Sequence, residues 1–553
     1  MIRAILGEKL AKAVKEAGYG KLRPEISQTN DPRFGDYASN IALKLAKLKN
    51  QQSASEIAKL LVARLPKNDN VFTTEIAKNS FINFRISPKF LQTSLRKIIE
   101  ENKDFGRLEK GLGRKVQVEF ISANPTGPLT LGNGRGGFTG DALANCLEKA
   151  GFKVEREYFI NDAGNQINNL GLSILDVSGI KIEEREDLYK GEYIVELAEK
   201  LKNRGVDIEN YRMKPYELGK LAAQIVMDTF IKPSLAKLNI NFDKFISEES
   251  LHGEGRVDKA LDTLKKKGLV QEKEGAFWFK PKKEHKIPGA EEDRVLVRSG
   301  IAGEKSPTYF LADIAYHLGK FERGFDKVID IWGADHAGYV PRMKASMSEL
   351  DFKDKLDIIV VQLVRLMENG REVRMSKRTG TFITLEELVN EVGLDVARYF
   401  FISRAPNTHL DFDFELAKEQ SEKNPVYYIQ YAHARCSSVL KKAQKEGLSD
   451  GQISEEDFGL LKEATELSLI KHLIKLPELV EDISQNYAVH SLPTYSKELA
   501  DLFHKFYEKV RVISEDKKLT LVRLSLVTAT KTVLANTLGL MGILAPEEMR
   551  RKD

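Results

Sequence analysis

The chain is predicted to be an α/β protein: a parallel-sheet core carrying an insertion, with an α+β module before it and a helical bundle after it. Three observations carry that prediction. Strand-like runs alternate with helical patterns from Lys115 to about Leu416, at Lys115–Ile121, Lys153–Tyr158, Lys327–Trp332 and Ile358–Leu363. From Asn424-Pro425 onward the pattern is helical, with Asn as N-cap and Pro at the first helical position. The length of 553 residues leaves room for roughly three or four domains, each with its own core.

Taken in order, Ile2, Leu6, Leu10 and Val14 mark a first helix stopped at Gly18. Ser53 and Glu56 form a capping box ahead of a second, with Ile57, Leu60, Leu61 and Leu65 on one face and Pro66 beyond it. Phe81–Phe84 reads as a strand and the polar stretch Glu100–Gly113 as a linker, which places the first boundary near residue 110. Residues 111–415 form the α/β core. Within it, roughly 180–300 is more charged and irregular and reads as an insertion between two halves of the sheet. Residues 416–553 form the bundle, whose clearest stripe is Leu499, Leu502, Phe503, Phe506 and Val510.

Composition narrows the function classes. No apolar run approaches the ~18 residues needed to span a bilayer. The N-terminus carries Glu8 and Glu16 on an amphipathic pattern, unlike a secretory or transit signal. Cys146 and Cys436 are the only cysteines and form no CxxC pair, so neither a disulfide framework nor a structural zinc site is expected. The reading is a cytoplasmic protein. Net charge is +5, but residues 1–110 hold 21 Lys+Arg against 12 Asp+Glu. A basic module on a mildly acidic body fits a polyanion such as nucleic acid, or else a solvated lysine-rich face.

One loop stands out. Glu119 to Gly137 read EFISANPTGPLTLGNGRGG. Val116, Val118 and Phe120 alternate with Lys115, Gln117 and Glu119, so a strand runs into a Pro/Gly loop that then opens a helix. Backbone N–H groups at such a helix N-terminus bind phosphate. Far along the chain, Arg374-Met375-Ser376-Lys377-Arg378 and then Thr379-Gly380 form a basic segment able to bring cations to the same phosphates. Gly132, Gly134 and Gly137 also fit GxGxxG, with Glu155 near the place of a ribose-binding acid. In that fold, however, the first glycine follows the strand almost directly. Here Ser122 to Leu131 intervene, with Pro125 and Pro128 among them, which suits a pocket for a second substrate better.

Loop and basic segment together resemble the two signatures of class I aminoacyl-tRNA synthetases, the HIGH-type turn and the KMSKS-type loop. Beyond them the chain resembles one family of these almost end to end, the arginine–tRNA ligases. The blocks are SANPTGPLTLGNGRGG (122–137), YFINDAGNQI (158–167), YKGEY (189–193), PTYFLADIAYHLGKFERGFD (307–326), WGADHAGYVPRMKA (332–345) and NPVYYIQYAHAR (424–435). FGDYASN (34–40) and FINF (81–84) resemble the family's N-terminal tRNA-contacting domain, and the helical C-terminus its anticodon-binding bundle. The resemblance implies a Rossmann-like catalytic core that activates L-arginine with ATP and Mg²⁺ as an arginyl-adenylate. It also implies transfer to the arginine tRNA, which must be bound first, and a monomer.

What it implies for single residues agrees with their chemistry. Arginine's guanidinium is planar, permanently cationic and offers five donors, so a selective pocket needs a carboxylate and further acceptors. Asp313 is assigned to the guanidinium with Tyr309, one helical turn before it, alongside. Glu119, Asn124 and His336 match positions that hold the amino acid. Thr130, Leu131, Gly132, Asn133 and Gly134, with Met375, Ser376 and Lys377, match the ATP site. Here the chain departs from the family: Thr130 and Asn133 stand where the HIGH-type turn has two histidines. Thr and Asn donate hydrogen bonds but cannot become cationic. Either they suffice, with Lys377 and Mg²⁺ supplying the charge, or the chain is a weakly active or inert RNA-binding paralogue. Tyr427, Tyr428, Tyr431 and Arg435 interleave aromatic and basic character, which suits RNA bases or a helix core equally.

Overall fold

The computed structural model describes residues 1–29, 31–49, 52–66, 70–282, 294–299, 305–373, 384–448 and 451–549. Its centre is an all-parallel sheet of five strands: β1 (Lys115–Glu119), β2 (Lys153–Ile160), β3 (Lys244–Ser247), β4 (Lys327–Gly333) and β5 (Leu356–Val361). Their spatial order is β5-β4-β1-β2-β3. The chain steps outward from β1 to β3 and then returns to the other side of β1 for β4 and β5. The crevice between β1 and β4 at their carboxyl ends is therefore the switch point where such sheets bind ligands.

The alternation along β1 marks a strand but not a solvated face. Gln117 and Glu119 are buried together with Val116, Val118 and Phe120, because a central parallel strand is covered on both sides. The long loop after β1 leads into helix α1 (Leu131–Lys149). A Cβ on Gly140 would lie 2.3 Å from the Phe120 ring, so the glycine lets α1 lie close against the sheet. Helix α2 (Tyr309–Glu322) runs into β4. Within the 180–300 interval, expected as an insertion, Lys244–Ser247 pairs in parallel with β2. The interval thus holds the sheet's edge strand, too short to show a pattern, as well as added helices and a small antiparallel sheet.

The N-terminal module folds as expected around Ile2–Glu16, and the Ser53–Glu56 capping box closes with Ser53 N–H donating to Glu56 Oε2 at 2.9 Å. Helix Pro88–Glu101, unread in the sequence, runs up to the expected linker. The module sits on the C-terminal helices. Glu478, wholly buried in helix Leu476–Asn486, accepts from Arg3 N–H (2.7 Å), Tyr37 OH (2.9 Å) and Gln28 Nε2 (3.1 Å). In the bundle, Asn424 caps Pro425–Lys445 as expected, and Leu499, Phe503, Phe506 and Val510 are core with Leu502 at its edge. On helix Pro425–Lys445, Tyr427 and Tyr431 stack at 6.5 Å, and the Arg435 guanidinium lies 5.1 Å from the Tyr431 ring. Among the described residues no helix is long and apolar enough to cross a membrane.

Candidate active site

The backbone is bent sharply where β1 ends. Ile121 (φ 67°) and Ser122 (φ 38°) lie in the left-handed region, a strained choice for a β-branched residue and one that clusters at functional sites. The bend lets Ser122 Oγ donate to Glu119 Oε1 (2.9 Å) while accepting from Phe159 N–H (3.1 Å). Asn124 follows, exposed in the loop. At the start of α1, Asn133 Oδ1 accepts from both the N–H (2.8 Å) and the hydroxyl (2.9 Å) of Thr130. This cap uses the Thr130 hydroxyl proton and turns the Asn133 carbonyl inward, leaving the Asn133 amino group as its donor. Leu131, Gly132 and Asn133 begin the helix, so their N–H groups have no carbonyl one turn earlier to meet.

Met375, Ser376 and Lys377 lie outside the described residues. The chain just after them is held: Thr384 forms an antiparallel backbone bridge with Thr130, and Leu385 N–H donates to Leu129 O at 2.9 Å.

A second group gathers around α2. Asp313 Oδ2 accepts from Tyr339 OH at 2.7 Å, and burial pushes its carboxyl above the usual range. His336 is exposed beyond β4, its ring 6.1 Å from Trp332, and acts electrostatically on Asp313. Tyr309 is 58% exposed and leans over Gly164, where a Cβ would meet its hydroxyl at 2.3 Å. Gly164 also has φ 78°, so the position calls for glycine twice over. Beside them is a residue that the sequence alone did not single out. Glu248 is only 4% exposed, its Oε2 has no hydrogen-bond partner among the described residues, and it lines a cavity of about 250 Å³ with Gly164, His252, Arg298 and Tyr309. Burial first, then the nearby Asp313 and Asp162, push its carboxyl up to about 7. A buried carboxyl with an oxygen left unmatched, repelled by two half-buried carboxylates, makes a pocket for an organic cation.

A third group lies beneath these. Asp330, Glu119 and Glu157 sit at one level on adjacent strands β4, β1 and β2. Facing them, α2 and the residue after it present Tyr316, His317, Lys320 and Arg323. Lys320, with no exposed surface, bridges Glu119 Oε2 (2.5 Å) and Asp330 Oδ1 (2.8 Å). Tyr316 OH reaches Glu119 (2.9 Å) and Glu157 (2.6 Å), and Arg323 pairs with Glu157 and with Glu155 (2.9 Å). Glu155 is thereby engaged by an arginine. His317 Nδ1 lies 2.7 Å from the Asp313 carbonyl and Nε2 2.7 Å from Asp330 Oδ2. The carbonyl can only accept, so Nδ1 carries a proton. Burial opposes charge on His317, but Asp330 outweighs it and raises the imidazole, while Lys320 and His317 overcome burial to hold Asp330 at about 2. Burial raises Glu119, against the pull of Lys320. Among the described residues, no three His, Cys, Asp or Glu side chains are placed to hold a metal ion.

Three family models match the chain. The N-terminal domain model of arginyl-tRNA synthetases covers residues 2–86, the class I (R) tRNA synthetase catalytic domain 95–411, and the DALR anticodon-binding domain 429–549. The chain is 45% identical to an arginine–tRNA ligase of Desulforamulus reducens, covering 98% of this chain and 97% of that one. It is 43% identical to an arginine–tRNA ligase of Carboxydothermus hydrogenoformans over 99% and 100%. In structure it is similar to the arginyl-tRNA synthetase of Thermus thermophilus, with a TM-score of 0.78 at 24% identity over 99% and 100% of the two chains.

Proposed function

The chain belongs to the arginine–tRNA ligases of the class I aminoacyl-tRNA synthetase family, and from that premise we propose how its residues act. L-Arginine and MgATP meet at the carboxyl edge of the sheet between β1 and β4. The arginine carboxylate attacks the α-phosphate in line, forming arginyl-adenylate and releasing pyrophosphate. The 2′-hydroxyl of the terminal ribose of tRNA then attacks the adenylate carbonyl and AMP leaves. No residue forms a covalent intermediate, so positioning and charge stabilisation carry the rate.

Asp313, Glu248 and Tyr309 take the guanidinium. Glu119 and Asn124 take the amino-acid end, where a carboxylate suits the ammonium group, and His336 lies on the same side. The N-terminus of α1, from Thr130 to Gly134, takes the ATP phosphates, with Asn133 donating through its amino group and Thr130 holding Asn133 in place. Met375, Ser376 and Lys377 complete the ATP site, Lys377 bringing the cation. Mg²⁺ arrives bound to the ATP phosphates as part of the substrate. Residues 1–110 and 416–553 hold the tRNA on either side of the catalytic residues 111–415, in a monomeric, cytoplasmic enzyme.

The observation that carries this reading is Glu248 beside Asp313: a buried and a half-buried carboxylate that repel each other, the buried one with an oxygen unpartnered among the described residues. The inert-paralogue alternative rests only on Thr130 and Asn133 and draws no support from the comparisons. Pyrophosphate release with arginine, ATP and matching tRNA, and none when lysine replaces arginine, is the expected result. No release with arginine would return the protein to the inert reading.

A further inference from the structure

Glu119 and Asp313 are the carboxylates assigned to the two cationic ends of arginine, and one connected strut joins them. It runs from Glu119 to Lys320, to Asp330, to His317 and to the backbone carbonyl of Asp313. The side chains along it are buried, and Lys320 touches two of the acids with one ammonium group. From α2 it ties β1 to β4, the two strands that flank the switch point.

We propose that Lys320 is a positioning residue for the amino acid. By bridging Glu119 and Asp330 it favours the ionised form of Glu119 against burial and fixes that carboxylate relative to Asp313, ready for the substrate's ammonium group. The inference rests on the reading of Glu119 as a substrate carboxylate. The groups around Glu119 are Tyr316, His317, Lys320 and Arg323 from α2 and its end, Asp330 from β4, Glu155 and Glu157 from β2, and Ser122 from the loop. Arg323 is engaged by Glu155 and Glu157, and His317 by Asp330. Among the described residues, Lys320 is thus the cation that Glu119 itself holds. Without it, the buried Glu119 carboxyl, level with Asp330 and Glu157, takes up its proton at a higher pH.

The test is the arginine KM in ATP–pyrophosphate exchange with matching tRNA, read as the ratio of variant to wild type from pH 8.5 to pH 6. Lys320→Met should raise this KM about tenfold at pH 8.5, and the ratio should climb at least about another tenfold by pH 6, as Glu119 protonates. The ATP KM should stay within about twofold at each pH, since the strut runs between β1, β4 and α2 and not through the start of α1. The pair Lys320→Met with Asp330→Asn removes one charge of each sign, lightens the burden on folding, and should show the same climb. A ratio that is independent of pH in whichever of these variants folds overturns the proposal and leaves Lys320 a counter-ion of the core. Glu119→Gln is the separate control: it should raise the arginine KM at every pH. If it does not, the assignment of Glu119 fails, which is a different outcome from a flat ratio in the lysine variants.

Discussion

Thr130 and Thr384 form a backbone bridge that joins the loop opening α1 to the chain that follows the basic segment 374–380. The Leu385–Leu129 hydrogen bond beside it holds the same stretch of chain against that loop. The N-terminus of α1, the proposed phosphate site, is thus the neighbourhood against which the chain from Thr384 is held. The expectations for the phosphate side follow from this neighbourhood.

Lys377→Ala should lower the rate of adenylate formation by at least about 10²–10³, the cost of removing one preorganised donor to transition-state charge, while arginine affinity is nearly intact. Asn133→Ala should cost less, because a neutral donor contributes less than an ionised one, plus about 1 kcal/mol of stability from the lost cap. Adenylate formation measured for both variants with saturating tRNA decides this. A silent Asn133→Ala with a mild Lys377→Ala would mean that these residues do not work the phosphates.

Arginine affinity should depend on pH through Glu248. Its carboxyl is raised to about 7 in the free protein, and the guanidinium needs the carboxylate, so binding expels a proton. Affinity is therefore full above pH 7 and falls as pH drops, by about tenfold between pH 8 and pH 6. Glu248→Gln should be weaker at pH 8 and flat across that range. Titration calorimetry in two buffers of different ionisation enthalpy checks the sign: protons must be released on binding below pH 7.

Arg398 ties three parts of the molecule together. Wholly buried, it donates to Asp141 on α1 (2.7 Å), to Leu238 O and Asn239 O (2.8 Å each), and to Met541 O (3.1 Å). Arg398→Met leaves Asp141 and three carbonyls short of a donor, and should cost about 3–5 kcal/mol of stability. A urea midpoint unchanged from wild type would contradict that.

Much of this was legible in the residues. The core strands announced themselves by alternation and the capping box by its spacing, and Asp313 with Tyr309 by helical spacing inside a block resembling the family. Three things were not. The level row of Asp330, Glu119 and Glu157 depends on the register between strands, which no single segment encodes. Glu248 lies in the charged run SEESLHGEG, indistinguishable from a solvated surface until β3 and α2 close over it. The use of Thr130's hydroxyl on Asn133 depends on a rotamer, so by sequence both read as donors to phosphate.

The basic excess of residues 1–110 has a test of its own. Replacing exposed lysines of this module, such as Lys47 and Lys97, should weaken tRNA binding and reduce the slope of log affinity against log salt by about one for each phosphate left without its lysine. Arginine and ATP binding should be unaffected. An unaltered slope would make the excess a solvated face.

Carboxylates at and around α2, Asp313 and Glu248, are proposed to select the guanidinium. Asp313→Asn tests this central claim most directly, because the change keeps shape while removing the charge and one acceptor oxygen. The measurement is the arginine KM in tRNA-dependent ATP–pyrophosphate exchange, beside the ATP KM of the same variant. Losing one partner of a desolvated ion pair costs about 3–5 kcal/mol, so the arginine KM should rise by roughly two to four orders of magnitude while the ATP KM barely moves. An arginine KM within twofold of wild type would contradict the account.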